Sequence, residues 1–403
     1  MIKSEGKRGS IMPSTKEFID HELAMLSNQV VMWRRHFHEN PELSFHEVHT
    51  SQFVYDTLQE MPNLEVTRPT PTSVMARLIG DVPGKVIALR ADMDALPIEE
   101  ANEFSFASKV PGVMHACGHD GHTAILLGVA KLLSGLKNEI KGEIRFLFQH
   151  AEELFPGGAE EMVSAGVMEG VDLVLGAHLW ASLPVGLVAI APGPLLAAPD
   201  TFRITIIGRG GHAASPNETI DPIAIGAQVV TNLQHVVSRY KDPFLPAVVS
   251  VTQFIAGTAD NVIPGSAMLA GTVRTFDKEL RDQIPEQMKR IVKGVCEAHA
   301  ATFEFVYQKG YRPVINDANV ASQLEASFIR TFGESRVENA EPTMGGEDFS
   351  AYLEKAPGAF FFIGAGNERA GITYPHHHPR FTVDEDALAI GVKGYVNAVF
   401  DLM

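Results

Sequence analysis

Two hydrophobic periods share this chain, and their order decides the fold class. Apolar residues recur at helical spacing over 16–36 (Phe18, Ile19, Leu23, Leu26, Val30, Val31), and 47–60 and 121–136 repeat the pattern. Between them 73–79, 85–91 and 143–150 read as short apolar strands. Helices alternating with strands predict an α/β fold, a sheet covered by helices on both faces with loops at the strand ends free to carry chemistry. Past Pro199 the order changes. Strands over 201–209, 247–256, 267–275 and 302–308, with helices over 221–240 and 278–300, give β-α-β-β-α-β, the split βαβ or ferredoxin-like order. Pro192-Gly193-Pro194 and the KGYRP run at 309–313 flank it, marking an inserted α+β domain over 195–309. Helices over 318–332, 347–355 and 385–400 and a buried strand over 358–363 complete the first domain, 1–194 with 310–403.

Composition narrows the partners. Lys plus Arg total 33 against 49 Asp plus Glu, a net charge of −16, so a phosphate backbone would meet a repelling field and nucleic acid is not expected. Residues 173–199 carry no formal charge and are long enough to cross a bilayer, but four prolines and three glycines would leave backbone groups unsatisfied in lipid. Buried strands with turns fit that run, and no membrane partner is expected. The start, MIKSEGKRGSIMPSTKEF, lacks the apolar run of a secretory leader or anchor, and two cysteines cannot form a disulfide framework. Both features point to the cytoplasm.

The densest polar run is 114–122, MHACGHDGH, just ahead of a predicted helix. On extended backbone Cys117 and His119, two apart, point the same way, and thiolate with imidazole suits a zinc-type dication. A lone cysteine near a histidine is more often a small buried hydrophobe, so further ligands must decide. Strand 143–150 runs into Glu152 and Glu153, whose side chains face opposite ways if the backbone stays extended. One could then ligate while its neighbour takes a proton from a water whose pKa a metal lowers towards about 7. Strand 171–176 leads to His178, and 374–381 holds His376, His377 and His378. Each sits at a predicted strand end or adjoining loop, around the crevice where α/β sheets bind ligands. Gly364, Gly366 and Gly371 read as a turn, Cys296 as core of the 278–300 helix, and His36, His38, His46 and His49 show no ligand spacing.

Nine motifs in order resemble the M20 family of metallopeptidases, in its amidohydrolase branch (M20D) of hippurate hydrolases, N-acyl-amino-acid deacylases and plant auxin-conjugate hydrolases. They are RADMDALPI (90–98), MHACGHDGHTA (114–124), QHAEE (149–153), GAHLW (176–180), GRGGHAASP (208–216), NVIPGSA (261–267), GTVRTF (271–276), GGEDFS (345–350) and HHPRF ending at Phe381. The resemblance implies a mixed-sheet, zinc-peptidase-like catalytic domain with an inserted lid or dimerisation domain. It further implies two divalent ions per subunit, with Cys117, His119, Glu153, His178 and His377 as ligands and Glu152 as general base. Cys117 stands where related peptidases have a bridging aspartate. Asp92-Met93-Asp94 replaces their His-x-Asp, which leaves the role of Asp92 as a ligand open and Asp94 as an orienting carboxylate. His377 lies two residues before Pro379, as the family pattern asks, with His376 and His378 as alternatives. His212 would reach the active site of a partner subunit to stabilise the oxyanion, with Asn261 and Arg274 on the substrate side, so a homodimer through the inserted domain is expected.

The activity implied is metal-dependent hydrolysis of the amide of an N-acyl amino acid or related small amide. The alternatives are a dipeptidase or aminopeptidase on the same scaffold, or a silent relative that only binds small amides. Zinc or manganese is expected, and cobalt or nickel also suits a mixed S/N/O ligand set.

Overall fold

The computed structural model describes residues 15–403, and the start of the chain, read above for a leader or anchor, lies outside them. The larger sheet has eight strands in the spatial order Leu64–Thr67, Val74–Ile79, Lys141–Gln149, Val82–Asp92, Leu173–Pro184, Gly358–Gly366, Val188–Ile190, Val337–Asn339. It is mixed, with Val82–Asp92 parallel to both of its neighbours. That central strand is buried on both faces at its end, as the uninterrupted run Ile87 to Asp92 requires. Alternate side chains divide two cores: Ile87 and Leu89 face helices Thr15–Glu39, His119–Ser134, Ala318–Phe332 and Asp386–Leu402, while Ala88 and Leu147 face the short helices Gly158–Ser164 and Ser350–Leu353. Register sets the strand ends level. Asp92 pairs with Gln149 and Arg90 with Gly176, so Asp92, Gln149 and His178 emerge together at the carboxyl edge.

Residues 198–308 form a second, four-stranded antiparallel sheet in the order Ala247–Ala256, Ser266–Thr275, Ala198–Ile207, Thr302–Gln308. Along Ala198–Ile207 Phe202, Ile204 and Ile206 turn inward while Thr201, Arg203 and Ile207 stay out. Helix Lys278–Ala298 buries Leu280, Ile284, Met288, Val292 and Cys296, every fourth residue, so Cys296 is core as expected. The charge-free 173–199 run is three strands and the start of a fourth, and no described helix is long and apolar enough to cross a membrane.

Three expectations need correction. Helix 347–355 shrinks to Ser350–Leu353, because the carboxylates of Glu347 and Asp348 are drawn to Arg90 and the Glu347 side chain accepts from the Phe349 amide. Strand 171–176 extends to Pro184, since its parallel pairing with Gly358–Gly366 continues past Gly176, and His178 therefore sits within a strand. Gly364 and Gly366 belong to that same pairing and not to a turn; only Gly371, at φ +74°, turns the chain.

The two crossings between the sheets meet at Asp200, fully buried, which accepts from Arg281 at 2.6 Å, from the Tyr307 hydroxyl at 2.9 Å and from the Gly310 amide at 2.9 Å. Asp200→Ala strands the Arg281 guanidinium and should cost about 3–5 kcal/mol in urea denaturation. Removing the exposed Lys293 and Glu297 pair should cost less than about 0.5 kcal/mol in the same measurement.

Candidate metal centre

At the carboxyl edge of the larger sheet, Gly118 takes φ +100° and turns the chain from Cys117 into the helix that starts at His119. The Cys117 to His119 segment is thus a bend and not the extended stretch the sequence suggested. A left-handed conformation of this kind is ordinary for glycine and strained for other residues. Helix His119–Ser134 is anchored by Asp120, which accepts from Arg34 Nε at 2.8 Å and binds His38 Nδ1 at 2.8 Å. Sequence reasoning gave His38 no role, yet it is fully buried and also binds Glu100 at 3.0 Å.

Asp94 organises the opposite wall. Its carboxylate accepts from Ser44 Oγ at 2.6 Å, from His119 Nδ1 at 3.1 Å, and from the amides of Glu152 and Glu153 at 3.0 Å each. The bond from Nδ1 to Asp94 fixes the ring's orientation and aims His119 Nε2 into the site, where a metal would replace the proton that atom carries. That atom is buried, has no hydrogen-bond partner among the described residues, and lies 3.8–3.9 Å from carboxylate oxygens of Asp92, Glu152 and Glu153. The spacing is too long for hydrogen bonds and suits ligands that each reach about 2.0–2.2 Å to a shared cation. Ala151, at φ +50°, ends the strand with a turn, so Glu152 and Glu153 both approach His119 and do not face opposite ways.

Cys117 is common to two further groups able to hold an ion, one with Glu153 and His377, the other with His178 and His376. His178 donates Nδ1–H to the Leu179 carbonyl at 2.8 Å, which turns its Nε2 towards Cys117 Sγ at 3.4 Å. Burial, then His122 and His376, holds its pKa well down, so the ring is a neutral donor. His377 reaches Glu153 at 3.1 Å. Of its neighbours, His376 accepts the Ala181 amide at Nε2 and, among the described residues, has no partner for its buried Nδ1, while His378 stacks on Tyr374 and accepts from the Arg380 amide. His122 spends both nitrogens, one on Asp92 at 2.6 Å and one accepting the Leu179 amide.

The electrostatics call for cations. Against burial, which lowers it, Asp92, Asp94 and Glu153 push His119 up to about 10. Burial, then Glu153, Glu152 and Asp92, pushes the Cys117 thiol well up, and burial with Glu347, Glu153 and Asp348 does the same to Glu152. Buried acids crowded in this way favour a divalent ion over separate charges, and S, N and O donors match borderline metals. Asp92 is held by Arg90 at 2.6 Å as well as by His122. Sequence reasoning missed Arg90, Glu347 and Asp348 as one network: the buried Arg90 guanidinium meets Glu347 at 3.0 Å and Asp348 at 2.8 Å. Glu47 was missed too; its buried carboxyl, pushed up to about 8 by desolvation and Asp94, accepts from the Ala151 amide at 2.7 Å.

His212, Asn261 and Arg274 lie elsewhere, on the smaller sheet and its short ladder Gly211–His212 with Val262–Ile263. His212 is exposed and accepts from the Ala214 amide. Among the described residues, no hydrogen bond or ion pair joins any of the three to the Cys117 cluster.

The chain is similar to known proteins over most of its length. The family model described as peptidase family M20/M25/M40 matches residues 88–401. An N-acyl-L-amino acid amidohydrolase of Geobacillus stearothermophilus is 66% identical over 302 residues, 75% of this chain and 82% of that protein. An N-acetylcysteine deacetylase of Bacillus subtilis is 45% identical, over 90% of this chain and 93% of its own. The crystal structure of the Bacillus subtilis YxeP protein, described as a dinuclear metal-binding peptidase of the M20 family, superimposes with a TM-score of 0.82 at 39% identity, over 94% of this chain and 99% of that one. Matched over most of its length by the family model and by close relatives, the chain belongs to peptidase family M20/M25/M40.

Proposed function

We propose that this chain is a metal-dependent amidohydrolase that cleaves the amide of N-acyl amino acids, in the manner of the M20D branch. The observation that carries the reading is the Nε2 of His119, unpartnered among the described residues and facing Glu152 and Glu153 beside a cysteine shared by two clusters. The names of the Geobacillus amidohydrolase and the Bacillus deacetylase support it. In this reading Cys117, His119, Glu153, His178 and His377 would hold two divalent ions, with His376, which completes a group with Cys117 and His178, as the alternative to His377. Zinc and manganese suit the donor set, as do cobalt and nickel. When bound, the ions supply Lewis-acid polarisation of the amide carbonyl and lower the pKa of water towards about 7.

The protein's own groups do the rest. Glu152 takes the proton of the attacking water and returns it to the leaving amine; burial, then Glu347, Glu153 and Asp348, hold its pKa above the usual carboxylate range. Asp94 keeps His119 and the Glu152 turn in place. His212 of the partner subunit donates to the oxyanion, a contact worth roughly 3–4 kcal/mol, with Asn261 and Arg274 on the substrate side. The division into 1–194 with 310–403 and 195–309, and a homodimer built on the smaller sheet, belong to the same reading. Exposed Phe254, Ile255 and Val262 on that body support an interface there.

A panel of N-acetyl- and N-benzoyl-amino acids against free dipeptides, run after loading with each metal, should show turnover of the acylated substrates. A preference for free dipeptides would favour a peptidase, and tight metal binding with no hydrolysis a silent binder. Glu152→Gln should keep its metal and lose about 10²–10⁴-fold in kcat. Asp94→Ala should weaken metal binding about 10- to 100-fold by calorimetry, because His119 loses its orienting partner. Metal must displace the proton that His119 holds up to about pH 10, so apparent affinity should rise with pH from 6 to 9 and binding should release about one proton from this residue. An affinity that falls over that range would remove His119 from the ligand set.

A further inference from the structure

The return crossing from the smaller sheet does more than reconnect the chain. Asp200 accepts the Gly310 amide and Arg281 donates to the Gly310 carbonyl at 2.8 Å, so Gly310 is fixed from both sides by the base of the smaller sheet. Tyr307, on the last strand of that sheet, donates to the same Asp200. The next residue, Tyr311, turns away from this knot, and its hydroxyl donates to the main-chain carbonyl of Glu152 at 2.8 Å. Its ring lies against Phe155, with centroids 5.9 Å apart, in a seat that exists because Gly157 has no side chain: a Cβ there would come within 2.9 Å of the ring. Burial, then the charges of Asp348 and Glu152, pushes the Tyr311 pKa up, so the hydroxyl keeps its proton and can only donate to that carbonyl.

The turn that presents Glu152 is otherwise gripped by the larger body. Glu47 takes the Ala151 amide, Asp94 takes the amides of Glu152 and Glu153, and Gly158 donates to the Ala151 carbonyl. The Glu152 carbonyl is held from the crossing. The peptide group beside the base is therefore sensitive to where the smaller sheet sits.

We propose that Tyr311 is a positioning residue that ties the aim of the Glu152 carboxylate to the seating of the smaller sheet through the Asp200, Arg281 and Gly310 knot. The proposal rests on the assignment of Glu152 as general base. It predicts that loss of the hydroxyl lowers turnover and leaves substrate affinity alone, because Tyr311 holds the main chain behind Glu152 and makes no use of substrate.

The test uses the metal-loaded enzyme with an N-acetyl-amino acid. Tyr311→Phe keeps the ring in its seat and should lower kcat about three- to tenfold, the worth of one hydrogen bond, with KM and metal content unchanged, a thermal midpoint lower by no more than about a few degrees and faster amide exchange over 151–155. Tyr307→Phe removes a donor from Asp200 far from the site; it should lower kcat in the natural background and have no further effect in Tyr311→Phe. Normal kcat in Tyr311→Phe, a change confined to KM, a fall in kcat that only follows a lower thermal midpoint, or additive effects of the two substitutions would each overturn the proposal. Glu152→Gln separates the two readings. If it retains turnover the base assignment fails whatever Tyr311 does; if it is inactive while Tyr311→Phe is normal, only the coupling fails.

Discussion

The site depends on one buried carboxylate. Asp94 accepts from Ser44, His119 and two consecutive main-chain amides, and it thereby fixes a ring orientation and the position of two glutamates at once. Four donors offset the desolvation of a fully buried anion, and its pKa stays low although burial works against it. A protonated Asp94 would free the His119 ring and loosen the turn together. The strand register adds the rest, since level strand ends bring His178 and Asp92 to the same rim.

Around this anchor the chain concentrates more buried negative charge than its own cations neutralise. Asp92, Glu347 and Asp348 share Arg90, whose guanidinium is entirely hidden from solvent, while among the described residues no arginine or lysine pairs with Glu152 or Glu153. Such an arrangement is costly unless something positive completes it. The distances around His119 Nε2 and the crowding of buried acids beside it both suit a bound cation.

Much of this was legible in the chain, for identifiable reasons. Helix and strand periods are local, so both sheets, the ferredoxin-like order and the core role of Cys296 could be read directly. Cys117, His119, Glu153, His178 and His377 were gathered from motif resemblance, and the structure brings them together. The presumed geometry between them was wrong wherever a left-handed residue intervened: Gly118 and Ala151 each bend a stretch that composition alone reads as extended. Arg90, Glu347, Asp348, Glu47 and Tyr311 were invisible as partners, because their contacts join residues between 2 and 258 positions apart and leave no period to detect. The 347–355 helix failed for the same reason, a distant guanidinium outbidding local helix propensity.

The two sheets differ in what their borders offer. The larger ends in strands of four residues, Leu64–Thr67, and three, Val337–Asn339, too short to template another chain. The smaller ends in strands of ten and seven, Ala247–Ala256 and Thr302–Gln308, with a full row of main-chain donors and acceptors along each outer side. Any strand-to-strand association of this protein, whether ordered or during misfolding, is thereby channelled away from the catalytic body, which can stay insulated from aggregation while its smaller companion takes the risk.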